Sequence, residues 1–351
     1  MLGTRASPAL SIAPPRVSGV ELAPNVAALQ RSAWNAGAWP SVPIRTIEIE
    51  DVLLLPRGLV QRSDASIVES TAKHLPGAVV EQAVRDFTKS WRTASVLRQP
   101  ILLGVRPGHT CYGHAITEII GSAWAGASAL QGREFSLLIS SPPGLLSAYR
   151  EAAKAAGLTS APLINHHSIR PLRLRTVYLV DGFAQTDSYI SPLLTEFAQV
   201  VRRRCDCAGA AEQRKKLYVA RSAAGGRAVA NEAEVWRLLE SRGFELVRPE
   251  TLNWPDQVRL FWQASHIVGP MGSALANATF CSPGAKLLTL APAGILDTFF
   301  WRLAACMDLD YAEVRCEDVP CSKYEVTGRY LDRDILVNPA LISTWLDGVG
   351  A

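Results

Sequence analysis

Nowhere does the sequence approach the roughly 20 consecutive apolar residues that a membrane-spanning helix needs. Its first residues, MLGTRASPALSIAPPRV, also lack the continuous apolar core of a secretion signal. Charge of one sign is missing too: 36 basic against 32 acidic residues leave a formal net charge of +4, too small an excess to imply nucleic-acid binding. The densest basic cluster, Arg202 to Arg204, ends a predicted helix, where it meets solvent and helix-terminal carbonyls. The seven cysteines have neither the even number of a disulfide scaffold nor the spacing of a zinc site, and Cys205 and Cys207 have no second Cys or His pair nearby. These absences predict a cytoplasmic protein with reduced thiols, no nucleic-acid partner and at most peripheral contact with a membrane.

What is present is apolar material for two cores, 48% of 351 residues. Residues 1–40, with Pro8, Pro14, Pro15, Pro24 and Pro40, read as a poorly ordered leader. Residues 41–204 read as an N-terminal α/β domain, 205–335 as a C-terminal Rossmann-like domain and 336–351 as a tail. In the first domain, strands are predicted over Ile101 to Val105, Phe135 to Ser140 and Thr176 to Asp181. Helices are predicted from Tyr112 to about Ala129, from Pro143 to Ala156 with Gly157 as the stop, and from Ser191 to Arg204. The stretch CDCAGAAEQRKK suits a linker. The second domain repeats a β-α unit: strands Lys216 to Arg221, Phe244 to Arg248, His266 to Pro270, Lys286 to Leu290 and Tyr311 to Arg315. Between them fall a helix headed by Asn231 in a capping box with Glu234, one capped by Asn253, a short one from Ser273 to Phe280, and one from about Leu296 to Met307. Parallel sheets of this kind bind ligands beyond the carboxyl ends of their strands.

Three segments carry chemistry. His266 to Asn277 is an apolar strand running into a glycine turn and a helix of small residues. Gly269 and Gly272 would let the backbone approach a phosphate, and the N–H groups at Ser273 and Ala274 would point at it; an ordinary tight turn is the other reading. A dinucleotide fold would need a carboxylate after the next strand, which instead ends Leu290-Ala291-Pro292, an argument against a dehydrogenase. In the second segment Arg221 ends a strand, and the Gly225-Gly226 pair lets Arg227 fold back toward it. Two guanidiniums there could neutralise a diphosphate leaving group without a metal, or could simply be surface residues. Asp308 with Asp310 and Asp332 with Asp334 have the spacing of a metal motif but read as solvated turns. In the third segment His114 and Glu118 are four apart on a helix, so the carboxylate could orient an imidazole that removes a proton from a hydroxyl. A satisfied core or cap histidine is the alternative. His166 and His167 would point apart in an extended chain and receive no role.

Taken in order, Lys216 to Arg227, Asn231-Glu232-Ala233-Glu234, Gly243-Phe244, Gln257, Val268 to Asn277, Phe280 and Pro283-Gly284 resemble glycosyltransferase family 61. They are similar in particular to its bacterial members in capsular polysaccharide biosynthesis. Tyr112-Gly113-His114 with Glu118 matches more loosely. The resemblance implies a GT-B-like fold of two Rossmann-like α/β/α domains facing a cleft. It also implies inverting transfer from a nucleotide-sugar donor, with UDP favoured, to a glycan acceptor that can be lipid-linked, and no metal or other cofactor. It makes His114 and Glu118 the catalytic candidates. Arg221, Arg227, Asn231, Glu232, Gly269, Gly272, Ser273, Ala274 and Asn277 become the donor-binding candidates. Met271 stands where the family pattern commonly has His, and Cys111 and Ala115 where Asn and Trp are frequent. The competing expectation is a catalytically impaired nucleotide-sugar-binding or regulatory protein of the same fold.

Overall fold

The computed structural model describes residues 1–22, 24–35, 37–73, 75–159, 161–185, 189–207, 214–221, 226–295, 297–327 and 332–351. Gly225, half of the predicted linker and Leu296 lie outside them. The chain divides into two compact units, one made of Met1–Pro8 and Ser41–Arg204, the other of Ala9–Pro40 and Cys205–Ala351.

The first unit is a mixed sheet in the order Gly3–Ser7, Val42–Leu54, Leu172–Asp181, Ile101–Gly104, Ser136–Ile139, Leu163–Asn165. The first two junctions are antiparallel and the last three parallel. Ile101–Gly104 and Ser136–Ile139 are buried at every residue, as central parallel strands covered on both faces must be. The predicted helix from Tyr112 runs to Leu130 as a single rod whose winding changes: α over Tyr112–His114, π over Ala115–Ile120, α over Gly121–Ala127 and 3₁₀ over Ser128–Leu130. It lies close on its neighbours because Gly126 has no side chain; a Cβ there would sit 2.3 Å from Val180.

The second unit is a sheet in the order Glu245–Val247, Lys215–Val219, Ala264–Pro270, Lys286–Pro292, Asp310–Val319, Asp334–Leu336. Its first five strands are parallel and the last is antiparallel. Counted along the chain, the parallel strands lie second, first, third, fourth, fifth: a doubly wound sheet whose order reverses between Lys215–Val219 and Ala264–Pro270. Helices Glu232–Ser241 and Pro339–Val349 bury Val235, Leu239, Ile342 and Leu346 in one core with Tyr218, Val268, Leu288 and Val314. Trp254–Trp262 starts where predicted, with the Asn253 side chain accepting from the Asp256 N–H. Its Trp254 meets Phe280 edge to face at 5.6 Å.

Two expectations about the ends are corrected. Residues 1–40 are not a poorly ordered leader: Gly3–Ser7 pairs with Val42–Leu54, and Arg16–Gly19 runs parallel to Asp310–Val319, matching Ala312 to Arg315. The backbone ladder, rather than apolar burial, holds Arg16–Gly19, since all four of its residues are exposed. Trp39 adds a T-shaped contact to Trp301 at 6.1 Å, and Trp301 Nε1 donates to the Ala13 carbonyl at 2.9 Å. Nor is 336–351 a tail apart from the second domain, for it belongs to the second unit and carries the Pro339–Val349 helix with Asn338 as its cap. Asp332 is likewise no solvated turn residue; it is buried, 3.2 Å from Lys323. Among the described residues no helix is long and apolar enough to cross a membrane.

Candidate active site

The strand order of the second unit reverses between Lys215–Val219 and Ala264–Pro270, and it is at the carboxyl ends of such a pair that open α/β sheets take ligands. Arg221 follows the first strand and Gly272 the second. They meet: a Cβ on Gly272 would stand 1.9 Å from Arg221 Nη1, so only glycine leaves room for the guanidinium. Arg221 Nε also donates to the Gly226 carbonyl at 2.6 Å, which fixes its plane. Gly269, near the end of the second strand, is needed for a different closeness; its Cβ would lie 2.9 Å from the Val219 carbonyl of the neighbouring strand.

Beyond Gly272 the chain winds into the predicted helix, Ser273–Phe280, as a 3₁₀ rather than an α-helix. Leu275 N–H donates to the Gly272 carbonyl at 3.0 Å, leaving the N–H groups of the half-buried Ser273 and Ala274 ahead of the ladder. A positive guanidinium and the leading amides of a helix therefore converge on one spot, which is the electrostatic requirement for holding a phosphate.

The other donor candidates are used differently. Arg227 has a left-handed backbone (φ 59°) and its N–H is bonded to the Arg333 carbonyl at 2.9 Å, so its main chain is tied to the segment leading into Asp334–Leu336. Asn231 forms no capping box, because its amide grips the main chain of Val337: Nδ2 donates to the carbonyl at 2.8 Å and Oδ1 accepts from the N–H at 3.1 Å. Glu232 accepts from Tyr218 Oη at 3.3 Å and faces Arg248 at 3.8 Å. Burial and that carboxylate push the Tyr218 hydroxyl well above its ordinary range. Asn277 is fully buried and donates to Gln257 at 3.0 Å, fastening the 3₁₀ helix to Trp254–Trp262. Asn231 and Asn277, expected in donor binding, thus have their side chains committed to the fold. Met271 is fully buried as well, its N–H bonded to the Leu290 carbonyl.

In the first unit the spacing of four brings His114 and Glu118 together, with Nδ1 and Oε1 2.7 Å apart. Glu118 is buried and His114 half-buried. The π-wound turn lies across this pair, and Thr117 Oγ1 bonds back to the Gly113 carbonyl at 2.8 Å. Arg106 stands nearby, donating to the Val180 carbonyl and, at 3.3 Å, to that of Ala184. Burial lowers the pKa of its guanidinium, opposed by the charges of Glu118 and Asp181. Gly108 lies against the imidazole; a Cβ there would be 2.8 Å from His114 Cδ2.

A family model described as Glycosyltransferase 61 matches residues 112–288, just over half of the chain. The chain belongs to glycosyltransferase family 61. Membership points to glycosyltransferase activity, with a sugar donor and a glycan acceptor as the general substrates. The matched region opens at Tyr112, beside His114, and closes inside the Lys286–Pro292 strand, so it contains every residue named above as catalytic or donor-binding. No curated protein matches the sequence.

The sequence reading of this family member missed a cavity of about 280 Å³ in the first unit. It opens where Ile101–Gly104, Ser136–Ile139 and Leu163–Asn165 end, and Arg57, His109, His166, His167 and Arg170 line it. His166 and His167 reach one cavity because the strand stops at Asn165, so the rule that neighbours in an extended chain point apart does not apply to them. The usable signal was the set of strand ends, with Ser140 directly after one and His166 directly after another.

Proposed function

We propose that this glycosyltransferase is a metal-independent, inverting enzyme that moves a sugar from a nucleotide-sugar donor, a UDP-sugar first, to a glycan acceptor in the synthesis of capsular or other surface polysaccharide. On this reading the two units are the halves of a GT-B-like fold facing a cleft. The protein works in the cytoplasm, at the inner membrane face when the acceptor is lipid-linked. What carries the donor half of the reading is the contact of Arg221 with Gly272 beside the amides of Ser273 and Ala274.

The reaction follows from those groups. The acceptor hydroxyl oxygen attacks the anomeric carbon, the bond from that carbon to the diphosphate oxygen breaks, and its electron pair leaves with the diphosphate. Arg221 and the leading amides stabilise the charge that develops there. The hydroxyl proton passes to His114 Nε2, while Glu118, accepting from Nδ1, fixes the tautomer and stabilises the imidazolium.

The test is thermal unfolding against UDP, GDP, CMP, NAD and NADP with and without a chelator, followed by product analysis with the stabilising donor. At 100 times its dissociation constant a ligand adds about 2.7 kcal/mol. We expect one nucleoside diphosphate to stabilise regardless of chelator and the product to have the opposite anomeric configuration. Arg221→Ala should cost about 10²- to 10³-fold in turnover and His114→Ala about 10²- to 10⁴-fold. Near-normal turnover in His114→Ala would remove the base assignment and leave the donor site standing. Nucleotide binding with no transfer would favour the impaired binding protein, and a response to NAD alone would overturn the reading altogether.

A further inference from the structure

We infer that the cavity at the strand ends of the first unit is the binding site for an anionic group on the acceptor, a carboxylate or phosphate borne by the sugar that receives the transfer. The inference rests on the glycosyltransferase reading for the word acceptor; the anion site itself rests on the cavity.

Its chemistry is one-sided. Two arginines and three histidines line it, and no carboxylate does. Some arginines of the same unit do find counterions: Arg173 and Arg175 share Asp51, Arg133 meets Glu48 and Arg5 meets Glu196. Among the described residues neither Arg57 nor Arg170 makes an ion pair, although both stand at this cavity. A concave site lined by cations without partners is where an anion gains most from binding. Arg57 is moreover held in a left-handed backbone conformation (φ 63°), in a turn whose next residue, Gly58, presses on the Val105 carbonyl.

The walls are fixed before any ligand arrives. His109 Nδ1 bonds to the Arg106 carbonyl at 2.8 Å, and the His109 carbonyl accepts from the buried Tyr149 hydroxyl at 3.1 Å. His167 stands edge-on to His109 with ring centroids 6.2 Å apart and has its Nδ1 3.3 Å from Ser140 Oγ. His166 Nε2 donates to the Arg170 carbonyl at 2.8 Å. Asn165 clasps both the N–H and the carbonyl of Ser141 at 2.8 and 3.0 Å, joining two of the strand ends. Val105 and the highly exposed Ile169 add apolar surface suited to the C–H face of a sugar ring. The volume, about 280 Å³, lies near the lower bound for small-ligand pockets and suits one ring rather than a long chain.

The cavity also has a line to the chemistry. The loop that contributes Val105 and His109 contains Gly108, the residue lying against the His114 imidazole. A sugar anchored here by its anion would present its hydroxyls beside the proposed base.

The experiment measures binding to the full chain, independent of turnover, for three probes: a disaccharide ending in glucuronate, the same disaccharide ending in glucose, and glucose 1-phosphate. At least one anionic probe should bind ten-fold or more tighter than the neutral disaccharide, and the stronger of the two names the anion. The double variant Arg57→Ala/Arg170→Ala should erase that preference while keeping its unfolding midpoint and its response to the nucleotide. Arg57→Lys/Arg170→Lys should recover part of it. Equal binding of neutral and anionic probes, or a preference that survives the double alanine variant, overturns the inference. So does binding to phosphatidylglycerol vesicles with no discrimination among the soluble probes. An anion preference in a protein that transfers no sugar would sink the transferase reading and leave the anion site intact.

Discussion

Positive charge is handled in opposite ways at one site in each of the two units. In the second, Arg221 gives its Nε–H to the Gly226 carbonyl and lies against Gly272. Deeper in the same sheet, the wholly buried Arg315 is folded onto Glu313 and onto the carbonyls of Pro292 and Ile295, at 3.2 and 2.9 Å. In the first unit Arg57 and Arg170 line a cavity with no carboxylate against them. A guanidinium already fixed by the protein is preorganised for a charge that develops during reaction. One left without a counterion is suited to an anion that arrives with the ligand.

The largest expected effect tests whether the second unit depends on its internal pairing. Tyr311 Oη also donates to Glu313, at 2.6 Å, and burial raises the pKa of this carboxyl, opposed by Arg315. Arg315→Met would strand Glu313 in the interior and should cost about 3–5 kcal/mol. Adding Glu313→Gln should return much of that loss in a denaturant titration. If the single and double variants unfold alike, the pair is not what holds this part of the sheet.

A subtler substitution sharpens the contrast by moving an arginine without removing it. In Gly272→Ala the new methyl meets the end of the Arg221 side chain rather than backbone, so stability should change little. The guanidinium must leave its place, and nucleotide affinity should fall by about 10- to 100-fold. An unchanged nucleotide-induced shift in unfolding temperature would show that Arg221 does not hold the ligand.

The smallest effect is a pH dependence confined to the second unit. Burial lowers the His266 pKa from an ordinary 6.5 to about 4, with Lys216 and Lys286 adding to the shift. The folded state keeps this imidazole neutral where the unfolded chain protonates it. Its contribution to stability is therefore complete above about 6.5 and is lost as pH falls toward about 4. His266→Leu should flatten this part of the profile of unfolding midpoint against pH; an unaltered slope would place the acid sensitivity elsewhere.

What the sequence made legible is local. Strand-to-glycine-to-helix order set the Ser273–Phe280 boundaries, Asn253 as a cap announced Trp254–Trp262, and a spacing of four put His114 beside Glu118. Long-range pairing was not legible. Arg16–Gly19 has no buried residue, so no hydropathy pattern marks it as the partner of Ala312 to Arg315. Asn231 looked like a cap because its competitor for the side-chain oxygen, the N–H of Val337, lies far along the chain. The cavity escaped for the same reason, since its walls come from separate loops around Arg57, His109, Ser140 and Arg170. The Pro339–Val349 helix did carry a signal, Asn338 before Pro339 with Ile342 and Leu346 four apart, and it was readable.

The second unit begins at Ala9, breaks off at Pro40 and resumes only at Cys205. A ribosome adding about 5–20 residues per second therefore releases Arg16–Gly19 some 15–60 seconds before its partner strand exists, since roughly 300 residues separate them. Nearly all of the first unit emerges in that interval and can complete its sheet. The early strand must wait unpaired, and the order of synthesis makes the second unit the last to close.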